Sequence, residues 1–168
     1  MRKLNVGCGS NILPGWENHD ADMDITKPLP FEYETFDMVL AEHVVEHITT
    51  PDAVRFFMEA HRILKIGGTL RIAVPSADAI FRRADKDYLA WHGKSGFGDG
   101  TLRSAVSAIL LQHGHLSAWN KPILEACLFA AGFDQIYPSR ISTLEGHGKV
   151  IGESNNKIET IVMVAYKY

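Results

Sequence analysis

The sequence predicts an α/β fold, a single doubly wound and mainly parallel sheet with helices on both faces. Short apolar segments alternate with stretches of helical period, and that alternation calls for this layering. The first strand-like segment runs straight into a glycine turn, Gly7-Cys8-Gly9-Ser10, which is a strand followed by a tight break. Two strand-like segments in succession close the chain, so a final hairpin adds one antiparallel strand.

The opening strand is placed at residues 3–6, which are short and β-prone. Leu13-Pro14-Gly15 is a second break, and residues 16–20 form a short second strand. Lys27-Pro28-Leu29-Pro30 is rigid and cannot be helix interior. Residues 36–41, Phe-Asp-Met-Val-Leu-Ala, are nearly continuously apolar and suit a strand buried on both faces. A helix then starts with Thr50 as its N-cap, Pro51 in the first position and Asp52 in the first turn. Its inward face is expected to carry Val54, Phe57, Met58, His61 and Leu64. Gly67-Gly68 ends it, and residues 69–74 form the next buried strand. Residues 102–111 are helical. Asn120 and Pro122 open a last helix that Gly132 closes. Residues 135–142 and 159–168 are the final strands, joined by a hairpin over 146–156. The chain thus reads as a single domain, 1–168, in which the irregular stretch 76–113 is an insertion covering a site.

Hydrophobic residues make up 46% and charged residues 22% of the chain, a balance that supports one ordinary core. The formal net charge is −3 and no Lys/Arg run occurs, which argues against nucleic acid as a partner. Cys8 and Cys127 have no metal-ligand spacing and read as reduced thiols. The N-terminus lacks the apolar stretch of a signal peptide, and no segment is apolar for the roughly 18 residues a spanning helix needs. The expected location is the cytoplasm, without membrane contact.

In an open α/β sheet, ligands bind beyond the carboxyl ends of the strands. Three such ends are unusual here. Gly7 and Gly9 let a ligand approach the backbone. Asp20, ending the second strand, can accept both hydroxyls of a ribose; an exposed turn aspartate is the simpler alternative. It follows Gly9 by eleven residues, where a dinucleotide site needs about 20. With Pro14 in that gap, only a truncated first helix fits, which disfavours a pyrophosphate on a helix N-terminus. The third end holds Glu42, His43, Glu46 and His47, groups able to orient a ligand or move a proton. Glu46 and His47 are read as supports for the following helix, and His43 as the residue facing the site.

Taken together, these stretches resemble the class I S-adenosylmethionine-dependent methyltransferases. The chain is most similar to the small bacterial branch labelled methyltransferase type 11. The matching segments are Leu-Asn-Val-Gly-Cys-Gly-Ser (4–10), Leu-Pro-Gly-Trp-Glu-Asn-His-Asp (13–20) and Asp-Ile-Thr-Lys-Pro-Leu-Pro-Phe (24–31). They continue through Phe-Asp-Met-Val-Leu-Ala-Glu-His-Val-Val-Glu-His (36–47), Arg-Ile-Leu-Lys-Ile-Gly-Gly-Thr-Leu-Arg-Ile-Ala-Val-Pro (62–75) and parts of 115–133. The resemblance implies a seven-stranded sheet with an antiparallel last strand and S-adenosylmethionine as cofactor. It implies that Gly7 and Gly9 pack on the methionine and ribose portion and that Asp20 binds the ribose hydroxyls. It also implies that Asp24 meets the adenine amino group and that Glu42 and His43 flank the sulfonium. The departures are Asn5, where relatives often carry an acid, and a short loop between Asp20 and Asp24. No helical segment precedes the first strand, so a lid is expected from 76–113 or from another subunit.

The expected reaction is in-line methyl transfer to O or N of a small-molecule acceptor. It needs alignment and exclusion of water more than a catalytic triad. His43 is the first candidate base and His115 the second, with a helix-start hydrogen bond as the alternative for His115. Arg82 and Arg83 can hold an acidic acceptor, with Tyr88 and Trp91 packing against it. The alternative for this segment is a solvated helix with aromatic anchors. His43 and His47 lie four apart, but Pro51 puts the helix start beyond them, so no metal site is expected. The main alternative is a non-catalytic cofactor-binding or partner module of the same fold. A nicotinamide-dependent dehydrogenase is disfavoured by the short Gly9–Asp20 gap and the missing third glycine. A homo-oligomer is compatible with all of these readings.

Overall fold

The structure, a computed structural model, describes residues 1–82, 86–94, 98–111, 114–139 and 160–168. Its strands are β1 (Lys3–Val6), β2 (Glu17–His19), β3 (Phe36–Glu42), β4 (Leu64–Pro75), β5 (Gln135–Pro138) and β6 (Thr160–Tyr166). Its helices are α1 (Thr50–Ile63), α2 (Ala77–Arg82), α3 (Lys86–Lys94), α4 (Leu102–Leu111) and α5 (Lys121–Ala130), with a 3-10 turn at Val45–His47. The sheet order is β2-β1-β3-β4-β6-β5. Pairing is parallel from β2 through β4, and β6 runs antiparallel to both β4 and β5.

This is the expected mainly parallel α/β sheet with an antiparallel last strand. It has six strands among the described residues, one fewer than the resemblance implies. Residues 20–35 link β2 to β3 through turns alone. Met23, Ile25 and Leu29 plug this link into the core, and Pro28 and Pro30 bar it from a helix or an inner strand. The truncated first helix is also missing: residues 7–16 form turns. The Asn18 side chain takes up the backbone groups such a helix would pair. Its Oδ1 accepts from Leu13 N at 2.9 Å, and its Nδ2 donates to Leu13 O at 3.0 Å and Trp16 O at 2.9 Å.

On one sheet face, Leu4, Val6, Val39, Ala41, Leu70, Ile72 and Met163 meet α1 and α5 in a single core. α1 contributes Ala53, Phe56, Phe57, Ala60 and Ile63. This corrects the expected phase, since Met58 is 49% exposed. Burying each of the three large side chains stabilises the fold by about 1.5–3 kcal/mol. The N-cap is Thr49, one residue earlier than expected, with its hydroxyl accepting from Asp52 N. The helix also ends early. Leu64 is already extended, and the strand runs through Gly67, at φ +77°, where its register against β3 shifts. On the other face, Leu40 packs beneath Leu13 and Trp16. α5 begins at its Asn120 cap as expected, with Oδ1 accepting from Ile123 N at 3.0 Å. The hairpin expected over 146–156 lies outside the described residues.

Candidate active site

The carboxyl ends of β1 and β3 bound a cleft of about 340 Å³ lined by Asn5, Gly7, Cys8, Gly9, Ser10, Asn11, Glu42 and His43. That volume lies in the range of about 300–1,000 Å³ common to small-molecule sites. The two glycines do different work. Gly7 has φ +61°, and a Cβ there would fall 2.2 Å from Val44 Cγ2. It therefore lets the β1 loop pack on the segment after β3. Gly9, at φ +48°, has open space where its Cβ would sit.

The loop is held from below by amides. Asn5 is buried, and its Nδ2 donates to Asn11 O and to Asn18 Oδ1, both at 2.9 Å. This gives the departure at Asn5 a physical role, because a carboxylate could not donate these two bonds. Asn11 Oδ1 is a buried acceptor with no hydrogen-bond partner among the described residues. Gly9 N donates to Asp20 Oδ1 at 3.2 Å, which holds the exposed Asp20 against the loop. Cys8 is buried, and burial followed by the nearby Asp20 charge raises its thiol pKa. Asp24 is exposed and does not line the cleft. Its Oδ1 accepts from Thr26 Oγ1 at 2.7 Å and Thr26 N at 2.9 Å, bonds that lower its pKa.

The opposite wall is β3's end. Both carboxylate oxygens of Glu42 are buried. His43 adopts φ +54°, a conformation uncommon outside glycine and concentrated at functional sites. Its backbone N–H donates to Ala73 O at 2.9 Å. Its Nδ1 lies 3.2 Å from Glu46 Oε1 and its Nε2 3.3 Å from Thr160 Oγ1. Glu46, only 1% exposed, is thus more than a helix support. A buried carboxylate at Nδ1 fixes the imidazole's orientation and tautomer, leaving Nε2 as acceptor. From sequence, Glu46 reads as a helix support and Thr160 is not singled out. The i,i+3 spacing of His43 and Glu46 was a usable signal, whereas Thr160 comes from a distant strand.

His115 is half-buried in a stretch that is neither helix nor strand, while Asn120 caps α5. Its ring lies 5.0 Å from that of His47 rather than in the cleft lining. Arg82 ends α2 and is exposed. Tyr88, on α3, is buried with Ala105 against Leu89 and Val106, so it ties α3 to α4. Trp91 lies on α3 with its side chain outside the described set, as is Arg83 altogether.

The glycine loop after β1 and the polar end of β3 line one cleft, with Asp20 held beside the loop, at the sheet edge where the doubly wound α/β class binds its ligands. A family model described as Methyltransferase domain matches residues 9–72. No curated protein matches the sequence. Among solved structures, the chain is similar to an S-adenosylmethionine-dependent methyltransferase from Archaeoglobus fulgidus, at 14% identity and TM-score 0.62, over 99% of this chain and 86% of that one. It is similar to Haemonchus contortus phosphoethanolamine N-methyltransferase 2, solved with S-adenosyl-L-methionine, at 16% identity and TM-score 0.59, over 99% and 48%. It is also similar to a Bordetella parapertussis protein described as a possible exported protein, at 12% identity and TM-score 0.59, over 91% and 44%. The chain therefore spans less than half the length of the last two. The family match over residues 9–72 and the fold shared with these structures agree with the resemblance read from the sequence. No helix among the described residues is long and apolar enough to cross a membrane.

Proposed function

We propose that this chain binds S-adenosylmethionine in the β1–β3 cleft and directs methyl transfer to O or N of a small-molecule acceptor. The observation that carries the reading is the pairing of an open, amide-held glycine loop with the His43–Glu46 dyad across one cleft. When bound, the cofactor supplies a methyl group on a positively charged sulfur. Gly9 leaves the space a ligand needs, and Asn11 Oδ1 offers a buried acceptor to a ligand N–H. Asp20 offers its second carboxylate oxygen to sugar hydroxyls while Gly9 N holds the first. Asp24 is assigned the adenine amino group by resemblance. Glu42 supplies negative charge at the mouth of β3, where a cation is favoured.

His43 is the base. With Nδ1–H donated to Glu46, its Nε2 accepts the proton released by an acceptor hydroxyl or ammonium, replacing the Thr160 contact. The acceptor is assigned to segment 76–113 from the sequence, with Arg82, Arg83, Tyr88 and Trp91 as its binding residues. His115 is assigned no step in the transfer itself. Two free thiols accord with a cytoplasmic setting.

Calorimetric titration with S-adenosylmethionine and S-adenosylhomocysteine tests the reading, with a nicotinamide dinucleotide as control and Asp20→Ala as variant. Micromolar binding of both sulfur cofactors, lost in the variant, supports it; no binding by folded protein overturns it. A second reading is a non-catalytic cofactor-binding module of the same fold. Binding without turnover across hydroxyl and amine acceptors would carry that reading instead.

A further inference from the structure

Outside the cleft, on the far side of Glu46 in sequence, two histidines converge that the chain keeps far apart. His47 ends the 3-10 turn after β3, and His115 precedes α5. One ligand atom each from Glu46, His47 and His115 lie within 4.8 Å of one another. The pair that spacing suggested, His43 and His47, is not the pair the fold assembles.

The cluster is built rather than incidental. Glu46 O accepts from Leu116 N at 2.7 Å and Ser117 N at 3.1 Å, and Ser117 Oγ donates to Val45 O at 3.1 Å. These bonds clamp the segment that carries His115 against the 3-10 turn. Gly114, at φ +73°, turns the chain into His115, and a Cβ there would stand 4.0 Å from His47 Nδ1. The independent observation is Glu46 itself. It is 1% exposed, its Oε1 faces His43, and its Oε2 is buried with no hydrogen-bond partner among the described residues. A buried carboxylate oxygen left in that state is costly unless a donor or a cation meets it.

We propose that Glu46, His47 and His115 bind a divalent transition-metal ion of the zinc class. Two imidazoles and one carboxylate suit such ions and disfavour Mg²⁺ and Ca²⁺, which take all-oxygen shells. Three protein ligands leave a coordination position open to water. The ion ties the segment after β3, which carries His43, to the segment leading into α5. It neutralises the carboxylate oxygen that His43 does not use. The site shares Glu46 with the His43 contact, but its test reads metal binding through His47 and His115 and so succeeds or fails apart from the methyl-transfer reading.

The test uses the full chain, stripped by chelator dialysis and titrated with Zn²⁺ against a chromophoric chelator. Co²⁺ absorption serves as a second readout. The expected result is one tight equivalent per chain and a Co²⁺ visible spectrum of low coordination number. In His47→Ala and in His115→Ala, affinity falls by more than about tenfold, the loss that even an outer-shell partner typically causes. His19→Ala, a histidine away from the cluster, leaves the tight equivalent unchanged. Both test positions are only partly buried or exposed, and thermal melts of the stripped variants establish that they fold. No tight equivalent in the wild type overturns the proposal. So does a tight equivalent that survives either His47→Ala or His115→Ala.

Discussion

The two walls of the cleft are built from opposite chemistry. The β1 wall is made of backbone and neutral amides: Asn5 ties Asn11 and Asn18, and Gly9 N meets Asp20. The β3 wall carries groups that titrate or hold charge, Glu42, His43 and the buried Glu46 behind them. A wall of amides holds a shape over a wide pH range. A wall of acids and imidazole moves protons but needs support to hold its shape, and here the β1 wall supplies it through the Gly7–Val44 contact. On the proposed reading one wall holds and the other reacts, and substitutions can be chosen to separate the two.

The largest effect is expected where the walls touch. Gly7→Ala places a methyl 2.2 Å from Val44 Cγ2 at φ +61°. Overpacking and left-handed strain together cost about 3 kcal/mol. Urea melts should show this loss, and the double variant with Val44→Ala should recover the packing share while keeping the backbone share. Next comes the reacting wall. His43→Gln should lower kcat by about 100-fold, the lower range for a positioned base, with KM for the cofactor nearly unchanged. An equal rise in KM would move His43 to the holding wall.

Gly9→Ala sharpens the contrast between the glycines. It meets open space, so only the strain of φ +48° remains, about 1–2 kcal/mol. Cofactor affinity measured by calorimetry should nevertheless fall, because the methyl occupies the cleft. If Gly9→Ala binds as the wild type does, the cleft is not the cofactor site.

The smallest effect lies outside both walls. His61 on α1 packs edge-on to Phe133, with ring centroids 5.0 Å apart. Burial lowers its pKa from the ordinary 6.5, Lys167 adds to this and Asp134 opposes it. The folded chain then binds fewer protons than the unfolded one, so stability falls as pH drops from above 6.5 toward the lowered value. Thermal melts across that window should show a shallower pH dependence in His61→Gln than in the wild type.

Local signals located the elements well. β1 and α4 match their expected spans, and α5 opens at its Asn120 cap. Each of these depends on neighbours within a few residues. Errors arose where a distant partner intervened. The 7–16 stretch lost its helix to the Asn18 amide. α1 handed Leu64 to β4 because that strand pairs with β3 from Phe36 onward. The inward face of α1 shifted because the sheet, rather than the helix's own period, selects which residues are covered.

The sequence by itself determined the order of the strands and of α1, α4 and α5, the glycine loop, Asp20 beside it and His43 at the end of β3, but not α2 and α3 within the stretch read as irregular. These follow from short-range patterning and from the rule that ligands gather at carboxyl strand ends. Only the tertiary structure decided that Gly7 serves Val44, that Glu46 orients His43, and that Glu46, His47 and His115 meet. The Thr160–His43 contact joins residues 117 apart in the chain, and no local pattern encodes a separation of that length. Such contacts exist because β6 inserts beside β4 and the 114–117 segment bonds to the turn after β3. They are consequences of sheet order and packing, which the chain specifies only as a whole.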